Sequence, residues 1–346
     1  MTKTKPKIHV TDVNQFLTCR TKWYYSSRLT HSLRRAKPNK HLVLGTAVHH
    51  ALGAYYSSGP TLADWDANGA LNAYDEHVAR EREDGMEVDE ELQEYLLLGR
   101  EMVRNYIPFS KQYDEFSIIQ PEVELSYDFG DFEFSGTTDG IVKDNQNGIW
   151  LLEHKTAAQF PNKEALAFSL QAAMYCWVAQ KTKEISDLGP VRGVIFNILR
   201  KSLPTIPKVL KSGNGMEMRK DISCTPTQYL RAVELAGFDP NDYAEFVSEL
   251  DPFKFVHREY ISLPLSSLAP AVLEFKHVSG EMLSIMQDIQ KGMPVSPAVY
   301  RCDPLRQCSW CDYRSLCSQK LFGRSWKEIA AYDYVREDKF DEETDA

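Results

Sequence analysis

Apolar and polar positions divide the chain into a helical first third, a β-rich centre and a mixed remainder, with no fixed-period repeat. Residues 10–29 (VTDVNQFLTCRTKWYYSSRL) predict a short helix entered at Thr11 or Asp12, both favourable N-cap types. Residues 42–57 predict a buried helix, and two acid-rich helical patterns follow near 61–84 and 87–107. The period then shortens to two. IIQPEVELSYDF, DFEFSGTTDGIV and GIWLLEHKTA predict three strands of an antiparallel meander, parted by Gly130-Asp131 and the turn at 144–148. A helix over 164–181, a strand over 191–199 and a loop over 200–220 come next. A helix near 226–236, a strand over 254–263 and a helix over 265–291 complete the pattern.

The 346 residues are 43% hydrophobic and 11% aromatic, which supports a packed core and excludes global disorder. No apolar run approaches the roughly 18 residues of a membrane helix. No apolar stretch follows the basic start MTKTKPKIHV, so neither a secretory signal nor a membrane partner is expected. The expected compartment is the reducing cytoplasm of a cell or a phage-infected host. With 40 basic and 49 acidic side chains the net charge is −9, which excludes a globally basic coat protein but not an enzyme with basic patches. Two such patches exist. One is a loop predicted over 28–40, with five basic residues and no acid; the other is 200–220, with six basic residues against Glu217. Trp23, Tyr24, Tyr25 and Trp310 are candidates for stacking on bases of a single strand. From Glu337 onward six acids face one Lys, which predicts a disordered tail.

Candidate chemistry lies in the central hairpin. A turn centred on Gln146 sets Asp139 opposite Glu153, with Cβ atoms about 4.5–5.5 Å apart, and places Lys155 on the same face. Two carboxylates that close raise each other's pKa unless a cation intervenes. Mg²⁺ is held by one or two carboxylates, acidifies a water and offsets charge on a phosphate. An ammonium can then steady the attacking water, which outlines phosphodiester hydrolysis. A surface salt-bridge ladder would also use these residue types. The apolar run before Glu153, and Gly136 and Gly140 around Asp139, favour a ligand site. Gln171 and Tyr175 share one helix face at i, i+4. Cys302, Cys308, Cys311 and Cys317 cluster near the C-terminal end of the sequence, which reads as zinc or iron–sulfur ligation before disulfides. Cys176 and Cys224 read as small core residues.

The order GTAVH (45–49), GTTD (136–139), EHK (153–155) and QAAMY (171–175) resembles the RecB-type branch of the PD-(D/E)XK nuclease superfamily, over about residues 12–320. The resemblance implies an α/β, restriction-endonuclease-like core, a mixed sheet of four or five strands with helices on both faces. That core would span 42–294 with a helical insertion at about 58–110. Residues 1–41 would supply an N-terminal helix, the basic loop and a cluster ligand, 295–325 the metal-cluster cap and 326–346 the acidic tail. His49, Asp139 and Glu153 would hold Mg²⁺ or Mn²⁺; His50 is equally available on spacing, and the Gly-x-x-x-His match selects His49. Lys155 would act as base or orient water, and Gln171 and Tyr175 would contact DNA. Members of this branch carry a [4Fe–4S] cluster on one early Cys and a late Cys-x2-Cys-x5-Cys, here Cys19 with Cys308, Cys311 and Cys317. A local set with Cys302 in place of Cys19 is the alternative, with zinc or iron–sulfur. The implied function is a metal-dependent deoxyribonuclease, an exonuclease on DNA ends or single strands in recombination, repair or phage DNA metabolism, with a helicase or recombination partner. The alternative is a zinc- or cluster-stabilised binding module with an inactive site.

Overall fold

The computed structural model describes residues 5–293, 299–302 and 307–336. Its centre is a mixed six-stranded sheet. The strands are β1 (Lys7–Ile8), β3 (Phe116–Asp128), β4 (Glu133–Asp144), β5 (Ile149–Ala157), β6 (Val191–Arg200) and β7 (Val256–Ser262), in the order β1-β4-β5-β6-β7 with β3 on the other edge of β4. The meander β3-β4-β5 is antiparallel, β5 and β6 are parallel, and β7 runs antiparallel to β6. The sheet thus has one or two strands more than the sequence suggested. The two-residue strand β1 is too short to carry a periodic signal.

Both faces are covered, as expected of an α/β fold. Ile141, Leu151, Phe196 and Ile198 face a core that takes in α1 (Val10–Thr18), α7 (Leu170–Lys181) and α11 (Ala269–Gln290). Val142, Trp150, Leu152 and Ile195 face α3 (Lys40–Ser57) and α5 (Glu90–Tyr113), with α4 (Ala67–Glu83) outside them. Helix α3 begins where the Asn39 side chain accepts from the His41 and Leu42 N–H groups. A third, small core in 216–250 joins Tyr229, Val233, Tyr243 and Val247. Among the described residues no helix is long and apolar enough to cross a membrane.

Several local expectations change. The first helix starts at Val10, where His9 and Asp12 form a capping box, and it breaks at Cys19 before α2 (Arg20–Ser26). The helix expected over 164–181 breaks at Phe168–Ser169 into α6 (Lys163–Ala167) and α7, because Ser169 caps the second piece through the Ala172 N–H. The 28–40 segment contains a strand, β2 (Leu33–Arg35), paired with β8 (Tyr334–Arg336). Ordered structure therefore extends past residue 326, through a helix at Trp326–Asp333; the residues from 337 lie outside those described. Trp23, Tyr24 and Tyr25 are buried and cannot stack on bases. Tyr24 and Tyr25 instead join the first helices to the C-terminal segment, Tyr25 stacking on Tyr313 at 6.1 Å and Tyr24 meeting Trp326 edge-on at 6.4 Å, while Trp23 packs edge-on against Phe16 at 5.0 Å.

A buried polar network ties the helical layer to the sheet. Asp114, just after α5, is ion-paired with Arg258 of β7 and accepts from the Tyr56 hydroxyl at 2.6 Å and from Ser110 at 2.7 Å. Arg258 continues to Asn197 of β6 at 2.7 Å, and Asn197 to the Tyr106 hydroxyl at 2.7 Å. Both ions are desolvated, with side-chain exposures of 0% and 6%. Removing one partner from such a pair strands the other charge. Asp114→Asn should therefore destabilise the protein by about 3–5 kcal/mol in urea unfolding, and a loss below about 1 kcal/mol would mean that the pair is solvated.

His31 packs between Tyr24 (4.5 Å) and Trp326 (5.0 Å), with a buried Nε2 that lacks a partner. Burial, aided by the charges of Arg336 and Lys327, lowers its pKa to about 4. In the unfolded chain it titrates near 6.5, so the unfolded state takes up a proton first. Stability from this contact is present above pH 6.5 and is lost as pH falls towards 4. Melting temperatures recorded at pH 7 and pH 4.5 should drop further for the native protein than for His31→Phe; parallel profiles would refute the assignment.

Candidate active site

The β4–β5 ladder runs from Lys143–Ile149 to Gly140–Leu152, the register expected from the turn, and then stops. β5 continues alongside β6, while the same edge of β4 is taken up further on by β1 at Glu133 and Phe134. Asp139 and Glu153 face each other at the point where the strands part. Asp139 Oδ2 accepts the His154 backbone N–H at 2.6 Å, and its Oδ1 meets His49 Nδ1 at 2.9 Å. Lys155 Nζ donates to Gln171 Oε1 at 3.0 Å, and Gln171 Nε2 donates to Glu153 Oε2 at 3.3 Å. Tyr175 lies over Gly136, where a Cβ would stand 2.7 Å from its ring. Six residues from four separate stretches of sequence thus converge. His50, the alternative to His49, turns away to meet the His77 ring at 4.9 Å.

The electrostatics of the pair are unequal. Burial, reinforced by the charge of Asp139, pushes Glu153 up to about 8. Burial also works against ionised Asp139, but the hydrogen bond and charge of His49, with the His154 N–H, hold it below the ordinary carboxylate range. Glu153 is 4% exposed and its Oε1 has no hydrogen-bond partner. Without a cation one carboxyl is therefore ionised and the other holds its proton. An imidazole and two carboxylates, one with an orphaned buried oxygen, fit a divalent cation, which would let both ionise. Among the described residues no three His, Cys, Asp or Glu side chains are already drawn into a metal cage. His154 points to the opposite face, stacks on Tyr56 at 5.6 Å, and is lowered to about 4 by burial.

A third carboxylate was not singled out in the sequence. Pro121 pairs with Gly140 and Val123 with Thr138, so Glu122 stands opposite Asp139 on the β3 side. Its φ of +43° is unusual for a non-glycine residue. Its carboxylate lies against Gly53, where a Cβ would meet Oε1 at 2.5 Å. Helix α3 therefore crosses the strands at four-residue intervals: Gly45 against Thr156 of β5, His49 against Asp139 of β4, Gly53 against Glu122 of β3. Counting the β3–β4 register would have found Glu122; its left-handed backbone has no sequence signal.

The cysteines gather at the joined ends of the chain. Cys19, Cys302, Cys308, Cys311 and Cys317 line one cavity of about 330 Å³. The Cys302 N–H points at Cys19 Sγ at 3.4 Å, so both candidates for the fourth ligand are present. Burial, and then the neighbouring Cys19, push the Cys302 thiol up to about 12. Cys176 and Cys224 are buried core residues, as expected. Trp310 is 91% exposed beside the cavity. Several basic side chains of the two expected patches are engaged in ion pairs: Lys37 with Asp89, Lys40 with Glu91, Arg219 with Glu217 and Lys220 with Glu249. The 200–220 segment nonetheless starts at the site, since the Lys201 N–H donates to Ala157 at the end of β5 at 2.7 Å.

A mixed sheet sandwiched by helices, with an Asp and a Glu-x-Lys where two of its strands part, defines a class of nucleases. The model of the PD-(D/E)XK nuclease superfamily matches residues 8–318, and the chain belongs to that superfamily. No curated protein matches. A solved structure described as "Crystal structure of SSO0001" is similar at 10% identity over 90% of this chain and 86% of that one, with a TM-score of 0.29, too low to inform the site.

Proposed function

We propose that the protein is a divalent-metal-dependent DNA nuclease of the RecB type, acting as an exonuclease on DNA ends or single strands. The observation that carries this reading is the convergence of Asp139, Glu153 and Lys155 where β4 and β5 part. His49, Asp139 and Glu153 would hold Mg²⁺ or Mn²⁺, which would offset charge on the phosphate and acidify the attacking water. Lys155 orients that water, and Gln171, hydrogen-bonded to both Lys155 and Glu153, fixes the ammonium relative to the carboxylate. Tyr175, held over Gly136, closes the floor of the site. Asp139→Asn, Glu153→Gln and Lys155→Ala should each slow cleavage of end-labelled single-stranded DNA by at least about a hundredfold, and EDTA should abolish it. Cleavage at the original rate in these variants would remove the site assignment.

We further infer that the cysteine cavity holds a [4Fe–4S] cluster on Cys19, Cys308, Cys311 and Cys317, which clamps the first two helices to the C-terminal segment. Five thiols around one cavity, next to the β2–β8 pairing, support this. Bound metal at such a site contributes directly to folding. Anaerobically purified protein should be brown and contain iron and sulfide, lost on Cys19→Ser but kept on Cys302→Ser. Colourless protein with stoichiometric zinc would refute the cluster, and the reverse mutational pattern would make Cys302 the ligand.

A further inference from the structure

A second cavity, of about 780 Å³, opens on the same lysine. Lys155 and the α6–α7 junction line it, and Leu166, Leu170 and Leu263 contribute apolar wall. Phe168 also lines it and is 87% exposed. That ring is held on a firm mount. The Phe168 N–H donates to the Glu164 carbonyl at 3.0 Å and the Ser169 N–H to that of Leu166 at 3.1 Å, while the Ser169 hydroxyl caps α7 by accepting the Ala172 N–H. The break in the helix is therefore what turns Phe168 outward, three positions ahead of Gln171. Among the described residues that line this cavity Lys155 is the one cation and Glu274 the one acid. Walls of that kind suit a flat heterocycle and not a phosphate, and the volume lies in the range of small-ligand pockets.

We propose that this cavity receives the nucleobase flanking the scissile phosphodiester, stacked on Phe168, and this rests on the nuclease reading above. The contact is with a π-face, so it is indifferent to sequence. It requires an unpaired base, so it selects single strands or frayed ends over intact duplex. Phe168 is a binding residue here and takes no part in bond cleavage.

The test is a binding cycle in a Glu153→Gln background, which keeps the strands intact in Mg²⁺. Fluorescence anisotropy compares an oligothymidylate with a strand of equal length whose bases are all replaced by abasic spacers. Phe168→Ala should reduce the preference for the base-bearing strand about tenfold and leave affinity for the abasic strand within about twofold. Phe168→Trp should keep the preference, and the melting temperature of both variants should match the parent's. An unchanged preference in Phe168→Ala overturns the cavity assignment alone. Failure of the parent to bind either strand overturns the DNA reading and this inference with it.

Discussion

The organising constraint is the electrostatic conflict between Asp139 and Glu153. The β4–β5 register sets them opposite each other, and the surrounding core removes water from Glu153. Two carboxylates in that position cannot both ionise unaided. The protein resolves the conflict on one side only. Asp139 receives an imidazole and a backbone N–H, while Glu153 has one oxygen on Gln171 and the other on nothing. The divalent cation proposed for this site would relieve the conflict, and the superfamily to which the chain belongs is one of nucleases.

The rest of the architecture can be understood as holding that hairpin between two layers that do different work. On one face α7 supplies Gln171 and Tyr175 from a helix started by Ser169. On the other, α3 runs diagonally across three strands, and its glycines at 45 and 53 let the helix approach closely enough for His49 to reach β4. The Asp114–Arg258 pair and its tyrosines lie behind His154, the residue between Glu153 and Lys155. Such a fully connected buried network fixes relative position more than it adds stability. Here it pins the helical layer to β6 and β7, the strands that support β5.

The two ends of the chain form a separate closure. Tyr24 and Tyr25 pack their rings against Trp326, Tyr25 also stacks on Tyr313, and β2 pairs with β8. The same arrangement collects five cysteines that are up to 298 residues apart in sequence (317 − 19) around one cavity. Aromatic packing and thiol ligation would then act on the same contact.

The sequence by itself determined the meander, its register and the face shared by Glu153 and Lys155. These follow from a period of two and the turn at Asn145–Asn147, which are local rules. The i, i+4 spacing put Gln171 and Tyr175 on one helix face, while His49 was marked only by the Gly-x-x-x-His resemblance, since His50 was equally available on spacing. Burial of Trp23, Tyr24 and Tyr25 was not legible, because a cluster of aromatics looks the same whether it meets bases or a distant tyrosine. Nor were the strand within 28–40, whose partner lies some 300 residues on, or Glu122, whose place in the row depends on a strand pairing and a left-handed backbone. Tertiary structure alone decided which of these polar groups lost their water and which gained a partner: both carboxyls are buried, and the His49 imidazole with the His154 N–H on Asp139 is what separates its pKa from that of Glu153.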